Sequence, residues 1–107
     1  MANPQTRKGF TKFPNKLFEK IIESKLNGTQ YGIVLATIRS TYGYHIESKS
    51  LGLNFFAKVT GRHKRQIANE LNTLIARKIL IVKCEHTFGK SRELQLNEDT
   101  ETWLNSS

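Results

Sequence analysis

A chain of 107 residues has room for one domain around one core, and 37% apolar with 24% charged residues lies within the globular range. No apolar run approaches the roughly 18–20 residues of a membrane span, and the N-terminus carries no signal-peptide stretch, so a cytoplasmic protein without a membrane partner is expected. The single cysteine, Cys84, excludes an internal disulfide and a thiolate metal cluster, and the net charge of +8 directs attention to polyanions.

That charge is uneven. Residues 58–92 hold nine Lys/Arg against Glu70 and Glu85, whereas residues 93–107 hold four acids and no Lys or Arg. A basic middle with an acidic end describes a surface aimed at a polyanion and a tail kept clear of it.

In chain order, residues 1–13 are polar and basic, with Pro4 and Gly9, and read as a flexible arm that Phe10 and Phe13 pin to the body. Residues 14–97 read as the folded domain. Leu17, Phe18, Ile21 and Ile22 mark an amphipathic helix over 14–24. After Asn27-Gly28, a second helix starts with Thr29 as N-cap, buries Ile33, Val34, Ala36 or Thr37, and Ile38, and stops at Tyr42-Gly43, where glycine supplies the positive φ. A short strand is expected at 45–47. Asn54 then caps a short third helix over 55–60 that ends at Gly61. A fourth helix begins at Arg62 or His63 and runs to Arg77, with Ile67, Leu71, Leu74 and Ile75 on one stripe. The period then changes: residues 79–85 and 92–96 read as two strands around a turn at 88–91, with Cys84 a half-buried strand residue and His86 a solvated turn residue. Residues 98–107 form an acidic tail or a short helix, on which Trp103 and Leu104 serve either a dimer contact or packing beside Phe13 or Leu17. The predicted class is mainly α with a small β-hairpin, a winged helix-turn-helix.

The helix-turn-helix unit, residues 53–80, is the functional candidate, because its second helix is the one that enters a major groove. Stepping about 100° per residue from Ile67 puts Arg62, Arg65 and Asn69 opposite the buried stripe, flanked by Gln66, Asn72 and Thr73. These side-chain types read base edges: arginine pairs bidentately with guanine, asparagine or glutamine with adenine. His63 and Lys64 lie nearer the core azimuth but reach past its edge to a phosphate from the first turn. Lys83, Lys90 and Arg92 fall on the wing, where phosphate contacts position a protein without specifying sequence.

Catalysis finds no support. His45, His63 and His86 lack metal-ligand spacing, Thr60-Gly61-Arg62 is no phosphate loop, and Glu19 and Glu23 sit among Lys16, Lys20 and Lys25 as helix ion pairs. No metal or cofactor is expected.

The chain is similar to the N-terminal, origin-binding domain of phage replication protein O. The likeness lies in Asn3-Pro4-Gln5, Gly9-Phe10-Thr11 and Asn27-Gly28-Thr29-Gln30-Tyr31. It is most specific in Ile38-Arg39-Ser40-Thr41-Tyr42-Gly43-Tyr44, and it continues through Leu53, Ala57, Thr60-Gly61, Arg65, Ile67, Leu71 and Leu74 to about Leu96. His63 stands where such domains carry serine as the recognition-helix cap, and Tyr31 where tryptophan is common. The resemblance implies binding to repeated sites in double-stranded DNA as a homodimer. It also implies delivery of a replicative helicase or its loader through a region absent from these residues. The chain is then either an excised DNA-binding domain or a small relative, for which a transcriptional regulator is the main rival. A winged helix used for protein docking would show an apolar patch in place of Arg62, Arg65 and Gln66.

Overall fold

The computed structural model describes residues 9–85 and 91–104. The elements run α1 (Asn15–Glu23), α2 (Gly28–Thr41), a 3₁₀ turn (Tyr42–Tyr44), β1 (Lys49–Gly52), α3 (Leu53–Thr60), α4 (Lys64–Ala76), β2 (Leu80–Glu85), β3 (Ser91–Leu96) and a second 3₁₀ turn (Thr100–Thr102). Helix α2 is the hub, touching α3, α4, β1 and β3.

Pro14 opens α1, its carbonyl accepting from the amides of Leu17 and Phe18. Of the four apolar residues expected on one face, Leu17 and Ile21 are buried, while Phe18 and Ile22 are 41% and 69% exposed. The second pair is rotated about 100° from the first, and a helix on the outside of the domain buries only one i, i+4 ridge.

The cap of helix α2 lies two positions earlier than expected. Asn27, not Thr29, is the cap. Its Oδ1 accepts from the Gln30 amide at 2.8 Å and Gln30 Oε1 accepts from the Asn27 amide at 3.1 Å, a reciprocal capping box. Thr29 is buried inside the first turn. Ile33, Val34, Thr37 and Ile38 fill the core, so of the two alternatives Thr37 goes fully inside and Ala36 only half. The buried hydroxyls of Thr37 and Thr41 donate to the Ile33 and Thr37 carbonyls at 2.9 and 2.7 Å, which removes the cost of burying them.

The end of α2 also departs from expectation. Gly43 does not take positive φ; the helix tightens into the 3₁₀ turn and the left-handed residue is His45, φ 57°. Gly43 provides space instead. A Cβ there would stand 2.6 Å from Arg39 Nη1 and 3.2 Å from Thr11 Oγ1.

The strand expected at 45–47 lies at Lys49–Gly52, and the hairpin is part of a three-stranded antiparallel sheet ordered β1-β3-β2. Lys49 pairs with Leu94 and Leu51 with Arg92; Leu80 pairs with Leu96 and Val82 with Leu94. Leu51, Leu80, Leu94 and Leu96 are buried on the side of the helices. Val82 pairs with Leu94 but Cys84 with Glu93, so Lys83 is the extra residue of a β-bulge.

Gly52, not Asn54, occupies the cap position of α3, and Asn54 stays exposed in the first turn. At the other end Gly61 takes φ 72° and its amide donates to the Ala57 carbonyl, as a glycine-stopped helix should. His63 stands at the cap of α4 without a side-chain hydrogen bond. Ile67, Leu71 and Leu74 form the buried stripe, with Ile75 half-buried beside it.

Trp103 follows a single 3₁₀ turn and packs against the protein's own core, its Nε1 donating to the Asn97 carbonyl at 2.8 Å. Phe13, whose ring meets Phe18 and Tyr42 edge-on at 4.7 Å, pins the incoming chain; Phe10 is 61% exposed. Among the described residues no helix is long and apolar enough to cross a membrane.

Candidate nucleic-acid interface

The turn between α3 and α4 has a simple cause. Gly61 ends one helix in a conformation that L-residues adopt at a cost, and His63, φ −70° and ψ 148°, is extended where the next begins. Three buried residues, Ile67, Leu71 and Leu74, then fix the rotation of α4. Residues roughly opposite them must face solvent, and Arg65 and Asn69 do; Arg62, expected on the helix, lies in the turn before it and is exposed there. His63, Lys64, Gln66, Asn72 and Thr73 are exposed as well.

The flanks of this ridge are tied to different neighbours. On one flank Gln66 Nε2 donates to Thr29 Oγ1 at 3.0 Å. One turn on, Glu70 accepts from Asn27 Nδ2 and Gln30 Nε2, each at 3.0 Å. The cap of α2 is therefore clamped to α4 by the one carboxylate on that helix, and this negative charge is drawn aside from the ridge. Gln66, expected to read bases, spends an amide donor on the same flank. On the other flank Asn72 Oδ1 accepts from Arg92 Nη1 at 3.2 Å, which couples β3 to α4. Thr73 Oγ1 donates to the Asn69 carbonyl at 3.1 Å.

The wing residues separate. Arg92 alternates with the buried Leu94 and Leu96, so it lies on the helix side of the sheet. Lys83 follows Val82, the partner of Leu94, and so lies on the opposite side of the sheet, the one that carries Glu93, where its Nζ meets Glu47 Oε1 at 2.8 Å. Hydrogen bonding and the nearby charge hold Glu47 below the usual carboxylate range and raise Lys83 above the usual ammonium value. The structure thus brings Arg92 to the ridge and leaves Lys83 away from it. Lys90 and His86 lie outside the described residues.

Composition also miscounts Arg77. Counted among the basic middle, it is only 8% exposed, with Nε donating to the Leu104 carbonyl at 2.9 Å and Nη2 to the Ser24 carbonyl at 3.0 Å. Conversely, the sequence reading passed over a group beside the ridge. Tyr44 carries the Arg39 guanidinium 5.0 Å from its ring centroid, and both Tyr44 and Lys49 line an open cleft of about 1010 Å³ that reaches Lys64 and Arg65. No local signal would have found it, since β1 becomes a strand only by pairing with β3.

A helix-turn-helix with an acid-free outer ridge, flanked by a β-ribbon, defines the chain as a winged helix-turn-helix domain. The family model described as bacteriophage replication protein O matches residues 3–103, and the chain belongs to that family. It is 30% identical over 95 residues to the DNA replication protein gp18 of Salmonella phage P22, an alignment covering 89% of this chain and 32% of that relative. The chain therefore spans about a third of the length of this curated relative. No solved structure matches it.

Proposed function

We propose that this domain binds double-stranded DNA sequence-specifically and recognises the replication origin for a phage initiator, performing no chemistry itself. Helix α4 lies in the major groove and Arg92 meets phosphate at its edge. The observation that carries the reading is the ridge formed by Arg62 in the turn after Gly61 and by Arg65 and Asn69 on the helix that follows, with Glu70 held on a flank by Asn27 and Gln30. A groove-reading surface needs outward donors and acceptors on a rigid element without repelling carboxylates, and α4 is anchored on both flanks. Membership of a phage replication protein family favours an origin over a promoter as the target. In this reading partners such as a second copy of the chain and a replicative helicase or its loader are assembled on the DNA-bound domain.

The test is to select the preferred duplex from a random pool and measure each variant on it and on a scrambled duplex at one salt concentration. Arg65→Ala and Asn69→Ala are each expected to weaken binding to the selected site by roughly ten- to a hundredfold, as loss of about 1–3 kcal/mol of base discrimination requires. Binding to the scrambled duplex and the thermal midpoint should hold. Equal losses on both duplexes would reduce these residues to phosphate contacts. An enriched site in promoters and not in the origin would favour transcription.

A further inference from the structure

The cleft beside the ridge has a chemistry of its own. It opens between the 3₁₀ turn, β1, the first turn of α3 and the first two turns of α4. Three cations line it, Lys49, Lys64 and Arg65, and no Asp or Glu does. The remaining wall is mainly aromatic and aliphatic, with Ser40, Ser50 and Asn54 as its uncharged polar members. Tyr44 and Ile46 are 62% and 41% exposed, and Phe55 is half-buried. At about 1010 Å³ it stands at the top of the roughly 300–1,000 Å³ range of ligand clefts, far more space than one phosphate fills.

A duplex backbone would satisfy the cations but not the rest. Its bases are stacked within the helix, so a phosphate ridge laid over this cleft would cover Tyr44 and Ile46 without a partner for their apolar surface. A single strand offers both chemistries, since every base has a π face and every linkage a negative charge. Tyr44 is held ready for the first. The guanidinium of Arg39 lies over the ring in the space that Gly43 leaves by lacking a Cβ, and a base stacked on the ring extends that arrangement.

We propose that this cleft is a single-stranded DNA site, in which Tyr44 stacks a base while Lys49 and Lys64 hold the adjoining phosphates. The proposal rests on the reading of the domain as DNA-binding and adds a second form of DNA to it. Because the cleft shares Arg65 with the ridge, a strand unpaired next to the bound duplex enters it directly.

The experiment measures binding of the whole chain to a labelled 15-nucleotide oligothymidine and, separately, to the selected duplex, at fixed salt. The unmodified protein is expected to bind the oligonucleotide with an affinity that falls as salt rises. Tyr44→Ala should weaken that binding roughly tenfold, the size of one lost stacking contact, and Tyr44→Phe should restore it. Lys49→Ala should lower the magnitude of the salt slope by about 0.7, one phosphate on a single strand. None of these exposed positions supports the core, so the thermal midpoint and duplex affinity should stay put. Equal losses on both DNA forms would make the cleft a seat for duplex phosphates and overturn the proposal. Unchanged oligonucleotide binding in Tyr44→Ala, or none by the unmodified protein, would also overturn it, the latter leaving the cleft to a peptide. The duplex arm with Asn69→Ala reports on the ridge alone, so either reading can fail without the other.

Discussion

Arg65 and Arg77 stand at opposite ends of α4 and do opposite things. Arg65 is exposed in the first turn, on the side away from Ile67 and Leu71. Arg77, at the C-terminal cap, is buried and gathers the carbonyls of Ser24 and Leu104, joining the end of α1 to the chain after Trp103. One arginine makes the surface and the other makes the fold, though a count of charges along the sequence treats them alike. Position relative to the buried stripe separates them: a guanidinium opposite the stripe has only water or a ligand to meet, and one at a crowded helix end has orphan carbonyls to satisfy.

The comparison is broken most severely at the stripe that orients both residues. Leu71→Ala should cost about 2–5 kcal/mol of stability by leaving a cavity, measured by denaturant unfolding, and DNA binding should fail only as the folded fraction fails. Arg77→Ala comes next. Removing charge-assisted bonds to two carbonyls should cost about 1.5–3 kcal/mol while leaving the affinity of the folded molecules for specific DNA intact. If Arg77→Ala kept its stability and lost DNA binding, the division between the two arginines would be wrong.

Arg92 tests the boundary between structure and surface, because it meets Asn72 yet lies beside the ridge. With about six phosphate contacts the slope of log K against log[salt] should be near −5, and Arg92→Ala should flatten it by about one, on specific and scrambled duplexes alike. A change in sequence preference instead would show that it acts through Asn72. The smallest effect belongs to Glu47 and Lys83. The depressed Glu47 carboxyl contributes stability above its unfolded pKa that is lost as pH falls through its folded value. The raised Lys83 contributes stability below its unfolded pKa that is lost as pH rises through its folded one. Both groups are fully exposed, so Glu47→Gln should barely move the thermal midpoint at neutral pH, and any shift should vanish in high salt.

Periodicity made most of the fold legible. The stripe Ile67-Leu71-Leu74, the stop at Gly61 and the alternation in 92–96 are local signals, and the helix-turn-helix with its ribbon follows from them. So does the outward pair Arg65 and Asn69, since a helix rotated by three buried residues leaves no choice about its far side, whereas Arg62 lies in the turn before that helix. What needed the tertiary structure was everything whose partner is distant in sequence. The Asn27–Gln30 capping box is a local pattern that the choice of Thr29 overlooked, whereas Glu70, forty-three residues from Asn27, which holds that cap against α4, has no local sign. A short strand was legible near 45–47, but its place at Lys49–Gly52 is set by pairing with β3, so the cleft beside it stayed hidden, as did the bulge at Lys83. By itself the sequence determined which face of each helix is apolar, because helical and strand periods are properties of the local backbone. Only the packed structure decided which polar groups are used up in holding α4 and which remain on its outer side, because that depends on neighbours brought together when the core closes.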